Sequence, residues 1–143
     1  MKTDGTLKKI GNVRNSANEF IMEQLKNAGF SDIVPSHGHI LLTLYKYEEC
    51  TMTDISNNIQ KDRSTVTALV NKLIKLGYVS SKKDSKDSRV TIVFLTEKGE
   101  EFKEVFKEVS QELNTLLYKG ISETEKEEFL NILEKMYKNF KKK

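Results

Sequence analysis

The chain has 143 residues, 37% of them hydrophobic and 31% charged, which fits one folded domain with its own core rather than a disordered chain. Its net charge of +3 is small, and its longest aliphatic or aromatic run, Ile92 to Leu95, falls far short of the ~20 residues that span a bilayer. Met1 to Gly5 leads into no apolar stretch and Cys50 is the single cysteine, so a reducing, cytoplasmic setting is expected, with no secretory signal, membrane span or intrachain disulfide.

Apolar residues at three- and four-residue steps (Ile10, Val13, Ala17, Phe20, then Ile21 or Leu25) predict an amphipathic helix from about Thr6 to Asn27, ended by Ala28-Gly29. After Pro35, Ser36 is expected to cap a second helix carrying Ile40, Leu41, Leu44 and Tyr45. Thr51 followed by Asp54 reads as a capping box for a short helix that buries Ile55 and Ile59. Asp62 then caps a fourth helix running to about Leu76, with Gly77 at its end. Two strands follow, Tyr78 to about Lys82 and Val90 to Leu95, joined by the polar loop Lys83 to Ser88. Phe102, Val105, Phe106, Val109, Leu113, Leu116 and Leu117 mark a long helix that Gly120 breaks. Ser122 with Glu125 caps the last helix, whose apolar side carries Phe129, Leu133, Met136 and Phe140; Lys141, Lys142 and Lys143 read as a solvated tail.

A short helix, the turn Gln60-Lys61-Asp62, a second helix and a hairpin make a winged helix-turn-helix. Charge supports the reading. Lys61 to Arg89 contains eight basic and three acidic residues, whereas Thr96 to Tyr137 contains eleven glutamates and six lysines. A basic block in an otherwise acidic chain suits contact with phosphates. On the fourth helix, Val66, Leu69, Val70 and Leu73 fall on one side, while Ser64, Thr67, Ala68, Asn71 and Lys75 fall on the other, flanked by Thr65 and Lys72. Asn can bond adenine bidentately, Ser and Thr can bond most bases, and the methyls of Thr and Ala can touch thymine. An ordinary solvated helix would carry Glu and Lys four apart; this one has no Glu. Its N-terminal amides can also take a phosphate.

The stretch Lys61-Asp62-Arg63-Ser64-Thr65-Val66-Thr67-Ala68-Leu69-Val70-Asn71-Lys72-Leu73, then Gly77-Tyr78-Val79, Asp84, Asp87-Ser88-Arg89 and Leu95-Thr96-Glu97-Lys98-Gly99, resembles the MarR family of bacterial transcriptional regulators. The resemblance reaches out to Pro35-Ser36-His37-Gly38. It implies a mainly α fold with a small β-hairpin: one MarR-type domain over 1–143, with a winged helix-turn-helix over about 36–96 and dimerisation helices over about 6–28 and 97–140. It also implies a homodimer on double-stranded DNA, usually a repressor, and often one that releases DNA when a small aromatic, frequently phenolic, effector binds between the dimerisation and DNA-binding regions. No cofactor is expected. The amphipathic terminal helices point to a dimer separately, because they carry more apolar surface than one winged domain can cover.

The residues expected to meet DNA are Arg63, Ser64, Thr65, Thr67, Ala68, Asn71 and Lys72 on the recognition helix, and Lys82, Lys83, Lys86 and Arg89 on the wing. Asp87, two residues before Arg89 on a strand-like backbone, is expected to orient its guanidinium; by resemblance, that arginine enters the minor groove. Other polar residues carry less. His37 and His39 point in different directions, so a shared metal is not expected, and one of them is expected to cap or line the second helix. Cys50 is expected in a polar turn beside Glu48 and Glu49, with a raised rather than lowered thiol pKa. Tyr45, Tyr47 and Phe20 read as core or dimer packing. No nucleophile elbow, phosphate-cradling glycine loop or separated carboxylate pair indicates an enzyme. The rival reading is a protein-interaction module that uses the amphipathic helices and does not touch DNA.

Overall fold

The computed structural model describes residues 3–141; Lys142 and Lys143 of the basic tail lie outside the described residues. The first helix, α1 (Thr6–Asn27), and the second, α2 (Pro35–Tyr47), are joined by a loop. A short strand β1 (Glu49–Thr51) leads into α3 (Met52–Ile59) and α4 (Arg63–Leu76). Strands β2 (Val79–Lys83) and β3 (Thr91–Leu95) form the wing, and α5 (Glu97–Leu117) and α6 (Glu123–Lys141) complete the chain.

Local chemistry accounts for most boundaries. The Thr51 hydroxyl accepts the Asp54 amide at 3.0 Å and the Asp54 carboxylate accepts the Thr51 amide at 3.1 Å, closing the expected box on α3. Ser122 and Glu125 repeat it on α6. Gly77 ends α4 at φ +89°, a backbone state that side chains resist. The cap of α2 differs from expectation. Pro35 takes the first helical position, where its missing N–H costs nothing, so Val34 rather than Ser36 precedes the helix. His37 supplies the side-chain bond instead: its Nδ1 accepts the Val34 amide at 3.3 Å.

Strand β1 was not expected. It pairs antiparallel with β3, giving the sheet order β1-β3-β2 with Cys50 opposite Val93 and Val93 opposite Ser81. Cys50 is therefore not in a polar turn but in a strand, 4% exposed. Burial pushes its thiol pKa up, with a smaller push from Asp54; the direction is as expected, the cause is not.

The core sits under α4. Ile40, Leu41 and Leu44 from α2, Ile55 from α3, Val66, Val70 and Leu73 from α4 and Val93 from β3 are all fully buried, each contributing on the order of 1.5–3 kcal/mol. Ile59 and Leu69 are only partly buried against it. A second layer is aromatic. Phe102 of α5 meets Phe30 of the α1–α2 loop edge-on at 4.7 Å and Tyr78 at 5.6 Å, and Phe106 meets Tyr45 at 5.4 Å. The Tyr45 hydroxyl donates to the Gly99 carbonyl, so Tyr45 is core, while Tyr47 is exposed and Phe20 half-buried.

Candidate nucleic-acid interface

The Gln60-Lys61-Asp62 turn aims α4 away from α3. The Ser56 hydroxyl donates to the Lys61 carbonyl while the Lys61 amide donates back to the Ser56 carbonyl, and Gln60 sits in the left-handed region at φ +56°. With its apolar side fixed in the core, α4 turns Arg63, Ser64, Thr65, Ala68, Asn71, Lys72 and Lys75 to the exterior, all exposed. No other segment of the described residues covers them.

Their hydrogen-bonding freedom is uneven. Thr67 is half-buried and its hydroxyl donates to the Arg63 carbonyl at 2.8 Å, leaving its methyl and oxygen lone pairs. The Ser64 hydroxyl donates to the Asp62 carboxylate at 2.8 Å, which also accepts the Thr65 amide at 2.7 Å. The Thr65 amide bond, then the Ser64 hydroxyl, holds the Asp62 carboxyl below the usual carboxylate range. A cap of this kind puts negative charge where a phosphate was expected to sit on the helix N-terminus, which narrows that role to the preceding amides. Asn71 and Ala68, a turn further on, carry no such commitment among the bonds of the described residues.

The wing holds its arginine as a fork. Arg89 Nε donates to Asp87 Oδ1 and its terminal nitrogen to Oδ2, both at 3.1 Å, and the Arg89 amide reaches Oδ1 at 3.0 Å. These bonds, the side-chain ones first, hold the Asp87 carboxyl below its ordinary value. The backbone is a tight turn, with the Val90 amide on the Asp87 carbonyl at 3.0 Å, rather than the expected strand. Asp87 meets Arg89 through that turn, and the arginine side chain stays 89% exposed.

The wing lysines divide. Lys83 and Lys86 are exposed, Lys83 only 3.4 Å from the Thr91 hydroxyl. Lys82 instead lies 2.7 Å from Glu49 on β1 and 5.3 Å from the centre of the Phe94 ring between them. Its expected phosphate contact therefore competes with a carboxylate on its own sheet.

A cavity of about 490 Å³ opens between α1, α2 and α5. Its walls are mainly apolar, with Ile21, Pro35, Phe106 and Val109 among them, and Arg14, Asn18, His39 and Ser110 add polar groups. Sequence reasoning named none of these as a ligand site, because the lining comes from three helices far apart in the chain. One local signal existed: Gly38 lets α2 approach α5, since a Cβ there would stand 3.3 Å from Phe106.

The comparisons with known proteins agree with this arrangement. A family model described as MarR family matches residues 33–91. An uncharacterized HTH-type transcriptional regulator of Bacillus subtilis, YwhA, is 29% identical over 108 residues, covering 72% of this chain and 78% of the relative. The matched stretch spans less than two thirds of two further curated helix-turn-helix regulators, at 65% and 63%. A MarR transcriptional regulator from Methanosarcina mazei superposes with a TM-score of 0.77 at 26% identity, covering 96% of each chain. A mutant MarR from E. coli in complex with operator DNA shares the fold, with a TM-score of 0.80 at 18% identity over 95% of this chain and 99% of that one. With its winged helix-turn-helix and its outward-turned α4, the chain is similar to the MarR family of transcriptional regulators over residues 33–91 and shares the fold of a MarR regulator along its length.

Proposed function

We propose that this regulator binds double-stranded DNA as a homodimer, in the cytoplasm and by binding alone rather than by catalysis, most often to repress. Helix α4 enters the major groove with Thr65, Ala68 and Asn71 toward the bases, while Arg63 and Lys72 contact flanking phosphates. Ser64 offers an acceptor, and Thr67 chiefly its methyl. The Asp87-held Arg89 reaches into the adjacent minor groove, with Lys83 and Lys86 on its phosphates. Lys82 joins them only on leaving Glu49. The observation that carries this reading is the exposed, Glu-free face of α4 with its small side chains, opposite an apolar face on which Val66, Val70 and Leu73 are fully buried.

Helices α1, α5 and α6 supply the dimer. They leave Val13, Leu116, Leu117, Phe129, Leu130, Ile132 and Met136 exposed on one protomer, a surface that a second copy would cover. The cavity between α1, α2 and α5 takes a small aromatic effector: apolar walls fit a flat ring, and Arg14 suits an acidic substituent.

The test is binding to a duplex recovered by selection from random DNA. Affinity is expected to fall about 10³–10⁵-fold between 50 and 200 mM salt if six to ten phosphates are engaged. Arg89→Ala is expected to weaken binding by at least tenfold, with the dimer still folded. Flat salt dependence would favour the protein-interaction reading, and an unchanged Arg89→Ala affinity would remove the wing's role.

A further inference from the structure

The carbonyls that end the recognition helix are bonded from the start of α5. The Leu76 carbonyl accepts the Lys98 ammonium at 2.8 Å, the Gly77 carbonyl accepts the Thr96 hydroxyl, and the Tyr78 carbonyl accepts the Thr96 amide at 3.1 Å. Gly99 allows that approach, since a Cβ there would lie 2.2 Å from the Tyr78 carbonyl oxygen. This explains the Leu-Thr-x-x-Gly run physically: it fastens the recognition helix to α5.

The same place is bound to the cavity rim. Tyr78 is fully buried, and its hydroxyl donates to Asp32 Oδ1 at 3.0 Å. Lys98 lies 4.3 Å above the Tyr78 ring and 3.9 Å from Asp32 Oδ2. Asp32 immediately precedes Ile33, Val34 and Pro35, three consecutive residues that line the cavity. Burial, then the bond to Asp32, pushes the Tyr78 phenol pKa upward, so it remains a donor at neutral pH. Because packing holds the Tyr78 ring, the hydroxyl is a fixed point, and moving Asp32 off it leaves a largely buried polar group without its partner.

We propose that Asp32, Tyr78 and Lys98 form a tether that transmits the position of the cavity rim to the C-terminal end of the recognition helix. Asp32 and Lys98 are then positioning residues for DNA binding, although their role is not to touch DNA. The tether rests on the DNA-binding reading above and gives it a route from effector to groove: anything that displaces residues 33–35 must break or drag the Asp32–Tyr78 bond. Two sites coupled through one bistable contact typically affect each other by about 5–150-fold.

The experiment compares Asp32→Ala, Tyr78→Phe, their double variant and Lys98→Met with the wild-type dimer, using the selected duplex and no effector. Asp32→Ala and Tyr78→Phe are each expected to weaken binding about 5- to 20-fold, at the lower end of that coupling range. The double variant is expected to be no weaker than Asp32→Ala alone, since both break one device. The slope of log affinity against log salt should stay at the wild-type value, Lys98→Met included; a slope smaller by about one would make Lys98 a phosphate contact and overturn its positioning role. Affinities within twofold of wild type, or additive losses, would overturn the tether.

Amide exchange in the DNA-free protein separates this from general destabilisation and from failure of the DNA reading. Tyr78→Phe, which deletes one oxygen, is expected to speed exchange selectively over residues 30–35 and 73–78. Exchange raised evenly through the chain, or unchanged in both segments, would refute the tether even if the wild type proved not to bind DNA. Should Asp32→Ala fail to fold, Tyr78→Phe alone decides the outcome by affinity and exchange.

Discussion

Two amphipathic helices in this chain meet opposite fates. Helix α4 buries Val66, Val70 and Leu73 completely within its own protomer and exposes small polar side chains. Helix α6 has a comparable apolar stripe and fully buries none of it: Leu133 is half-buried, while Phe129, Met136 and Phe140 are 49%, 38% and 81% exposed. Apolar surface left on a protomer points to a partner, whereas polar surface left on a well-buried helix points to a polar ligand. The winged region is thus complete in one chain and the terminal helices are not. In the proposed function, that division separates the part that reads DNA from the part that sets the distance between two readers.

The most drastic way to break the contrast is to charge the uncovered face. Phe129→Asp with Met136→Asp should leave the protomer folded yet convert a dimer into single 16.5 kDa chains by light scattering. A variant that remains dimeric would place the interface elsewhere. Next in size comes the covered face. Leu73→Ala should lower unfolding free energy by about 2–5 kcal/mol in urea melts, because Leu73 is fully buried; a loss under 1 kcal/mol would mean the core beneath α4 is looser than described. Asp62→Ala removes the cap on α4 and should cost about 0.5–2 kcal/mol, while also clearing negative charge from the helix N-terminus. DNA affinity is therefore expected to fall less than stability does, and a parallel fall would show that Asp62 matters to binding only through folding.

The smallest expected effect is a pH dependence. His37 is buried, and burial first, then the Lys72 charge, holds its imidazole below the ordinary value against the opposing Asp32. The unfolded chain then binds this proton more readily than the folded one. Stability from His37 is fully present above about pH 6.5, its unfolded value, and is lost as the pH falls through the lower folded value. Protonation also removes the Nδ1 lone pair that caps Val34. Urea midpoints should drop between pH 7.5 and 5.5 in the wild type and drop less in His37→Gln; equal slopes would discharge His37 from the effect.

The winged region was legible because its signals are local. Asp62 and Gly77 bracket α4, Thr51 and Asp54 start α3, and the separation of Val66, Val70 and Leu73 from Ser64, Ala68 and Asn71 needs only helical geometry. Three residues of β1 were missed because Glu49-Cys50-Thr51 is a strand only by pairing with β3, far along the chain at Ile92 to Phe94. One omission caused another: without β1, nothing placed Glu49 beside Lys82, and Lys82 read as a free phosphate contact. The cap of α2 was misplaced because Ser36 is a better generic cap than Val34, yet Pro35 already marked the first helical position. Residues of the cavity and of the Asp32–Tyr78–Lys98 cluster come from segments distant in sequence, and only packing brings them together.

The outward face of α4 carries the account, and recovering bound duplexes from a random pool with the wild type and Asn71→Ala tests it most directly. The wild type should select a near-palindrome whose half-sites lie about one helical turn, 34–36 Å, apart. Asn71→Ala should lose discrimination at one symmetric pair of positions, about 1–3 kcal/mol each, and keep the others. A pool with no enriched motif, or a variant that selects the same motif with equal stringency, would contradict base reading by this helix.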